Sequence, residues 1–98
     1  MDQSQSGPAW TEDEYVAQLR DERRRFTWVI RQHGGLVPAA AEEAALQRYP
    51  YEAEGTPYRG MIFHDEAWHW AMLKIYGDNY VVDHPELGTP SADYRALD

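Results

Sequence analysis

Four side chains that could bind a metal ion lie in the second half of the chain: His64, Asp65, His69 and His84. On a helix, Asp65 and His69 are four residues apart and face the same side. Imidazole and carboxylate groups together suit zinc and similar divalent ions. However, His64 and His69 are five residues apart, which misses the i,i+4 spacing of a helical HExxH site. The pattern therefore favours a structural role, in which Asp65 caps a helix and His69 lies at its polar edge, over a metal centre. No cofactor is expected.

A carboxyl group within an apolar stripe is the second candidate for chemistry. Glu22 lies in the middle of the apolar stripe of the first predicted helix. Burial there would raise its pKa and suit it to acid–base catalysis. Structural ion pairs are the commoner reason for such a placement. The partners that we expect are Arg25 or Arg59, or His33 and His69 across the core.

Other catalytic chemistry finds little support in the sequence. The chain has no cysteine, and its three serines, Ser4, Ser6 and Ser91, lie near its two ends. It contains no G-x-S-x-G, P-loop or G-x-G-x-x-G pattern. We therefore expect a non-catalytic protein, while the Glu22 and histidine hypotheses keep an enzyme open as an alternative.

One face of the first predicted helix, which we expect to be exposed, combines arginine with tryptophan. Arg24 and Arg31 flank Trp28 at i−4 and i+3, and Arg20 extends the same face. Because Trp and Arg are enriched in protein-binding hot spots, Arg20, Arg24, Trp28 and Arg31 form the candidate interaction surface. Two alternatives stay open, namely an intramolecular cation–π stack and an arginine contact to nucleic acid.

The net charge is distributed unevenly along the chain. Residues 11–33 balance five arginines against five acids, whereas residues 42–98 carry four cations against eleven acids, and the whole chain has a formal charge of −8. An acidic body repels phosphate backbones and attracts basic surfaces. The charge therefore favours a protein partner with a basic surface over nucleic acid.

No apolar run is long enough to span a membrane, so a membrane partner is not expected. The polar stretch Met1–Pro8 lacks the apolar region of a secretory signal. The absence of cysteine is compatible with a reducing compartment. The expected location is the cytoplasm.

The first two helices have clear boundary signals. Thr11 and Glu14 form a capping box, and Gly34–Gly35 ends the first helix. Pro38 suits the first position of a second, alanine-rich helix that ends before Pro50. A loop rich in tyrosine and proline follows, over residues 51–59.

The segment 63–77 holds two of the four tryptophans and two of the four histidines. Apolar residues on nearly all sides predict a buried third helix that ends at Gly77. The alternative is a β-hairpin with its turn at Gly77–Asn79.

These patterns together predict a mainly α fold, a small single domain of about three helices over residues 10–87 with a Tyr/Pro-rich loop. Residues 1–9 are expected to form a disordered tail and residues 88–98 a partly mobile one. The alternative is an α+β fold with a C-terminal hairpin around Gly77–Asn79.

The leading functional hypothesis is an acidic, non-catalytic interaction module or regulator that binds another protein. The alternative is a metal-assisted enzyme that uses the four ligands named first. A further alternative is an arginine-mediated nucleic-acid contact. The apolar third helix also allows a homodimer.

Overall fold

The computed structural model describes residues 10–97, so the predicted disordered tail, residues 1–9, lies outside the described residues. The α-helices within this range are α1 (Glu12–Gly34), α2 (Pro38–Arg48), α3 (Ala67–Tyr76), α4 (Tyr80–Asp83) and α5 (Ala92–Arg95). Single 3-10 turns form at Met61–His64 and Pro85–Gly88. Since residues 10–97 contain no strand, the mainly α prediction is confirmed.

Local sequence signals set both ends of α1. Thr11 Oγ1 accepts a hydrogen bond from the Glu14 backbone N–H, and Glu14 Oε1 accepts one from the Thr11 N–H, both at 3.1 Å. This reciprocal pair satisfies two N–H groups that an open helix end would leave unpaired. At the other end, Gly35 has φ 71°, a left-handed conformation that costs glycine little.

The core forms where α1 packs against both α2 and α3. From α1, the buried apolar side chains are Tyr15, Leu19, Phe26, Val29 and Ile30. The opposing surface of α2 is built from three buried alanines, Ala41, Ala44 and Ala45. Small side chains let the two helix backbones approach closely, which explains how an alanine-rich helix covers one side of α1.

The segment 67–76 is helical, so the alternative of a hairpin around Gly77–Asn79 is wrong. Trp68, Ala71 and Met72 occupy i, i+3 and i+4 positions and are almost completely buried. Only a helix turns all three residues toward α1, because side chains alternate between two faces in a strand. The chain after Gly77 forms α4 rather than a second strand.

Two short helices after α3 extend the domain beyond the predicted three-helix bundle. Tyr80 of α4 and Tyr94 of α5 are both buried. Tyr94 stacks edge-on against Trp68 with ring centroids 5.6 Å apart, and Arg25 Nη2 donates to the Leu97 carbonyl at 2.9 Å. Tyr94 therefore contributes to the packed core, and the partly mobile tail over residues 88–98 stays a prediction.

Arg59 holds the Tyr/Pro-rich loop against α1. Its guanidinium lies 3.8 Å from the ring centroid of Tyr15, forms an ion pair with Glu12 at 2.6 Å and donates to the Glu52 carbonyl at 2.9 Å. The Tyr15 hydroxyl in turn accepts a hydrogen bond from the Glu52 N–H at 2.8 Å. These bonds fix the loop by polar contacts, while its two tyrosines, Tyr51 and Tyr58, are exposed.

None of the helices within residues 10–97 combines the length and the apolar character that crossing a lipid bilayer requires.

Candidate functional site

The four proposed metal ligands do not meet at one point. His64, Asp65 and His69 line the same surface pocket, of about 270 Å³. His84 instead lies 3.7 Å from Glu86 and packs at a tilt against the ring of Tyr76, with centroids 4.7 Å apart.

One ring nitrogen of His69 already has a hydrogen-bond partner. Its Nδ1 lies 2.9 Å from the Tyr80 hydroxyl, and its Nε2 lies 3.9 Å from Asp65 Oδ2. Within residues 10–97, no three His, Cys, Asp or Glu side chains form a group that could hold a metal ion. The polar contacts of His69 join α3 to α4, which is a structural role.

The candidate arginine–tryptophan surface is divided in the structure. Arg20 and Arg24 line a shallow groove of about 390 Å³ between α1 and α2, beside Leu46. Arg24 also forms an ion pair with Asp21 at 2.6 Å. The groove thus brings together two of the four predicted residues.

Trp28 is half-buried, which corrects the expectation that it lies on an exposed face. Its ring packs edge-on against His33, with centroids 6.4 Å apart, and His33 packs against Trp68 at 5.1 Å. This aromatic row extends the packed surface around α1 toward Trp28. Arg31 is exposed, and a binding role for the four residues stays a prediction.

Glu22 is buried, as its place in the apolar stripe predicts, with 9% of its surface exposed. Gln18 Nε2 donates to Glu22 Oε2 at 2.6 Å, while Oε1 has no hydrogen-bond partner among the described residues. Burial raises the pKa of the Glu22 carboxyl, and the bond from Gln18 offsets part of the shift.

The expected ion pairs of Glu22 do not form, because Arg25 binds Asp21 at 2.8 Å and Arg59 binds Glu12. The nearby hydroxyl of Tyr49 is also buried without a partner among residues 10–97. The interior therefore contains two polar atoms without hydrogen-bond partners among the described residues, which lowers the stability of the fold.

An exposed apolar surface around α4 is a feature that sequence analysis missed. Val82 is 77% exposed and Val81 48% exposed, on a helix of only four residues. Tyr76, just before α4, is 39% exposed. We name residues 76–86 the α4 segment.

The charge of this region could have revealed it. Residues 75–94 contain four carboxylates, Asp78, Asp83, Glu86 and Asp93, and neither lysine nor arginine. Two adjacent valines inside a stretch without lysine or arginine indicate such a surface. Hydrophobic periodicity does not detect them, because it needs a longer helix or strand.

Comparison of the chain with protein-family models, with curated proteins and with solved structures finds no match.

Proposed function

We propose that this chain is a non-catalytic interaction module that binds a basic surface of another protein through its α4 segment. The observation that carries the proposal is the exposure of Val81 and Val82 within a stretch of four carboxylates and no cation. A cytoplasmic location, compatible with the absence of cysteine, belongs to the same proposal.

Apolar exposure supports a binding role for this segment. Removing a valine side chain from water contributes about 1.5 kcal/mol or more, so its exposure leaves stabilisation unused. Val82 makes no such contribution to the free protein, because three quarters of its surface faces solvent. A partner that covers both valines would gain this energy on binding.

Charge supports the choice of a basic partner. Asp78, Asp83 and Glu86 lie within the α4 segment, and the nearest cations along the chain are Lys74 and Arg95. Carboxylates around an apolar centre steer basic surfaces toward it and repel acidic ones. Buried valines would supply affinity and the carboxylates would supply selectivity.

The α4 segment is also held rigidly enough to present a defined surface. Tyr80 is buried, its hydroxyl contacts His69 of α3, and the His84 N–H donates to the Tyr80 carbonyl at 2.7 Å. Trp68 Nε1 donates to the Leu87 carbonyl at 2.8 Å, just beyond the segment. A pre-ordered surface loses less conformational entropy on binding.

The test is affinity capture from a cell extract with three forms of the full chain: wild type, Val82→Asp and Val37→Asp. Val37 is a matched control, because it is an exposed valine (65%) that precedes α2. We expect the wild type and Val37→Asp to capture the same partner, and Val82→Asp to fail to capture it.

The salt dependence of this capture tests the charge component. Retention should fall as NaCl rises from about 50 mM to about 500 mM, because salt screens attraction between exposed charges. Equal retention by Val82→Asp, or a partner with an acidic binding surface, would refute the proposal. A partner lost only with Arg20→Glu or Trp28→Ala would favour the α1 surface instead.

A further inference from the structure

A cleft lies between α2 and α3. Both helices pack on α1 rather than on each other, so a space of about 410 Å³ is left between them. Its walls include Phe26 of α1, Arg48 of α2, and Trp70, Leu73 and Lys74 of α3. We name this space the α2–α3 cleft. Its volume is within the range of small-molecule sites.

Two of the four cations in the acidic part of the chain line this cleft. Residues 42–98 contain only Arg48, Arg59, Lys74 and Arg95. Arg59 pairs with Glu12 and Arg95 pairs with Glu66. The other two both line the cleft, and neither forms an ion pair with another residue of the range 10–97.

One of these cations is already oriented by an aromatic ring. The Arg48 guanidinium lies 4.1 Å from the ring centroid of Trp70, a cation–π contact. Trp70 is itself fixed, because its Nε1 donates to the Ile62 carbonyl at 3.1 Å. A guanidinium stacked in this way still has N–H groups at its edge, which match the two oxygens of a carboxylate.

The remaining lining defines the rest of the ligand. Trp70, Leu73 and Phe26 provide an apolar, partly aromatic wall, which suits a flat hydrocarbon group. Asp78 also lines the cleft and would repel an anion, but its one negative charge is outweighed by the two positive charges of Arg48 and Lys74. The net charge of the lining is therefore positive in a protein whose overall charge is −8.

We propose that the α2–α3 cleft binds a small aromatic carboxylate. The ring of the ligand lies against Trp70 and Leu73, and its carboxylate binds the guanidinium of Arg48 and the ammonium of Lys74. The cleft shares Asp78 with the α4 segment, but its two cations and its apolar wall lie outside that segment.

Nuclear magnetic resonance titration of the full chain with naphthalene-2-carboxylate tests the site. The indole N–H resonance of Trp70, assigned from its loss in Trp70→Phe, should shift in a saturable manner. The uncharged analogue naphthalene-2-carboxamide should bind at least about tenfold more weakly, because a charge-assisted hydrogen bond and an ion pair are lost.

Variants separate the site from generic binding to apolar surface. Arg48→Gln and Lys74→Gln should each raise the Kd of the carboxylate about tenfold, whereas Arg20→Gln, an exposed cation outside the cleft, should leave it unchanged. Because Lys74 is exposed, its variant keeps the fold even if Arg48→Gln does not. Equal binding of both probes, an unmoved Trp70 resonance, or unchanged affinity in Lys74→Gln would overturn the proposal.

Discussion

The indole N–H of Trp68 donates a hydrogen bond to the carbonyl oxygen of Leu87 at 2.8 Å. This bond joins the buried face of α3 to the chain that follows α4. The same indole packs against Tyr94 of α5 and against His33 of α1. Trp68 thus connects the long-helix core to the surface segment that we propose as the binding site.

Replacing Trp68 tests this connecting role. Trp68 is 2% exposed, so Trp68→Ala should lower the free energy of unfolding by about 3–5 kcal/mol. Trp68→Phe keeps an aromatic ring but removes the bond to the partly buried Leu87 carbonyl, and should cost about 1–3 kcal/mol. Urea denaturation followed by circular dichroism measures both values. An unchanged unfolding midpoint for Trp68→Ala would show that the residue does not belong to the core.

Gly60 lies directly against Trp10. A Cβ atom on Gly60 would lie 2.6 Å from Trp10 Nε1, and the backbone φ of Gly60 is 83°. Gly60→Ala therefore combines a steric clash with a left-handed conformation that alanine adopts at a cost, and should destabilise the fold by about 2–3 kcal/mol.

Gly55→Ala is the matched control, because Gly55 has φ 91° with nothing within 4 Å of the added Cβ. Only the conformational cost of about 1–2 kcal/mol applies there. Equal losses of stability in the two variants, measured by urea denaturation, would show that Trp10 does not restrict this position.

Glu22 should make stability depend on pH in a defined direction. Burial raises its pKa in the folded protein above the unfolded value, so the folded state holds the proton more tightly. The resulting stabilisation is complete below the unfolded pKa and is lost as the pH rises through the folded pKa. Glu22→Gln removes this dependence.

The measurement is the free energy of unfolding of wild type and Glu22→Gln at a series of pH values from about 4 upward, above and below the normal carboxyl pKa. The free energy of unfolding of Glu22→Gln should rise relative to that of the wild type as the pH increases. Glu54→Gln, at an exposed glutamate, serves as the control. A constant difference across the series would contradict a raised pKa of Glu22.

Metal ions should not stabilise the protein through the histidine segment. A ligand that binds the folded state raises the melting temperature, and the increase grows with ligand concentration. Because His84 lies apart from the pocket that His64, Asp65 and His69 line, we expect zinc or manganese to leave the melting temperature unchanged. An increase that His69→Gln abolishes would support the metal-assisted enzyme instead.

The features that local chemistry determines were predictable from the sequence. The capping box of Thr11 and Glu14 depends on neighbours within one turn, and Glu22 follows from its place in a long apolar stripe. The helix over 67–76 was favoured by its apolar spacing and by Gly77 at its end.

The surface features depend on contacts between distant segments and were not predictable in the same way. Trp28 is half-buried because His33 and Trp68 extend the core toward it, which no spacing within α1 reveals. The valines of α4 face solvent because the helix is only one turn long and Tyr80 is its single buried residue.

The most direct test of the central claim is hydrogen–deuterium exchange of the full chain with and without the captured partner. Binding through the α4 segment predicts slower amide exchange over residues 76–86 and unchanged exchange over residues 20–31 of α1. Slower exchange over residues 20–31, with residues 76–86 unaffected, would contradict the claim and place the binding surface on the arginine-rich face of α1.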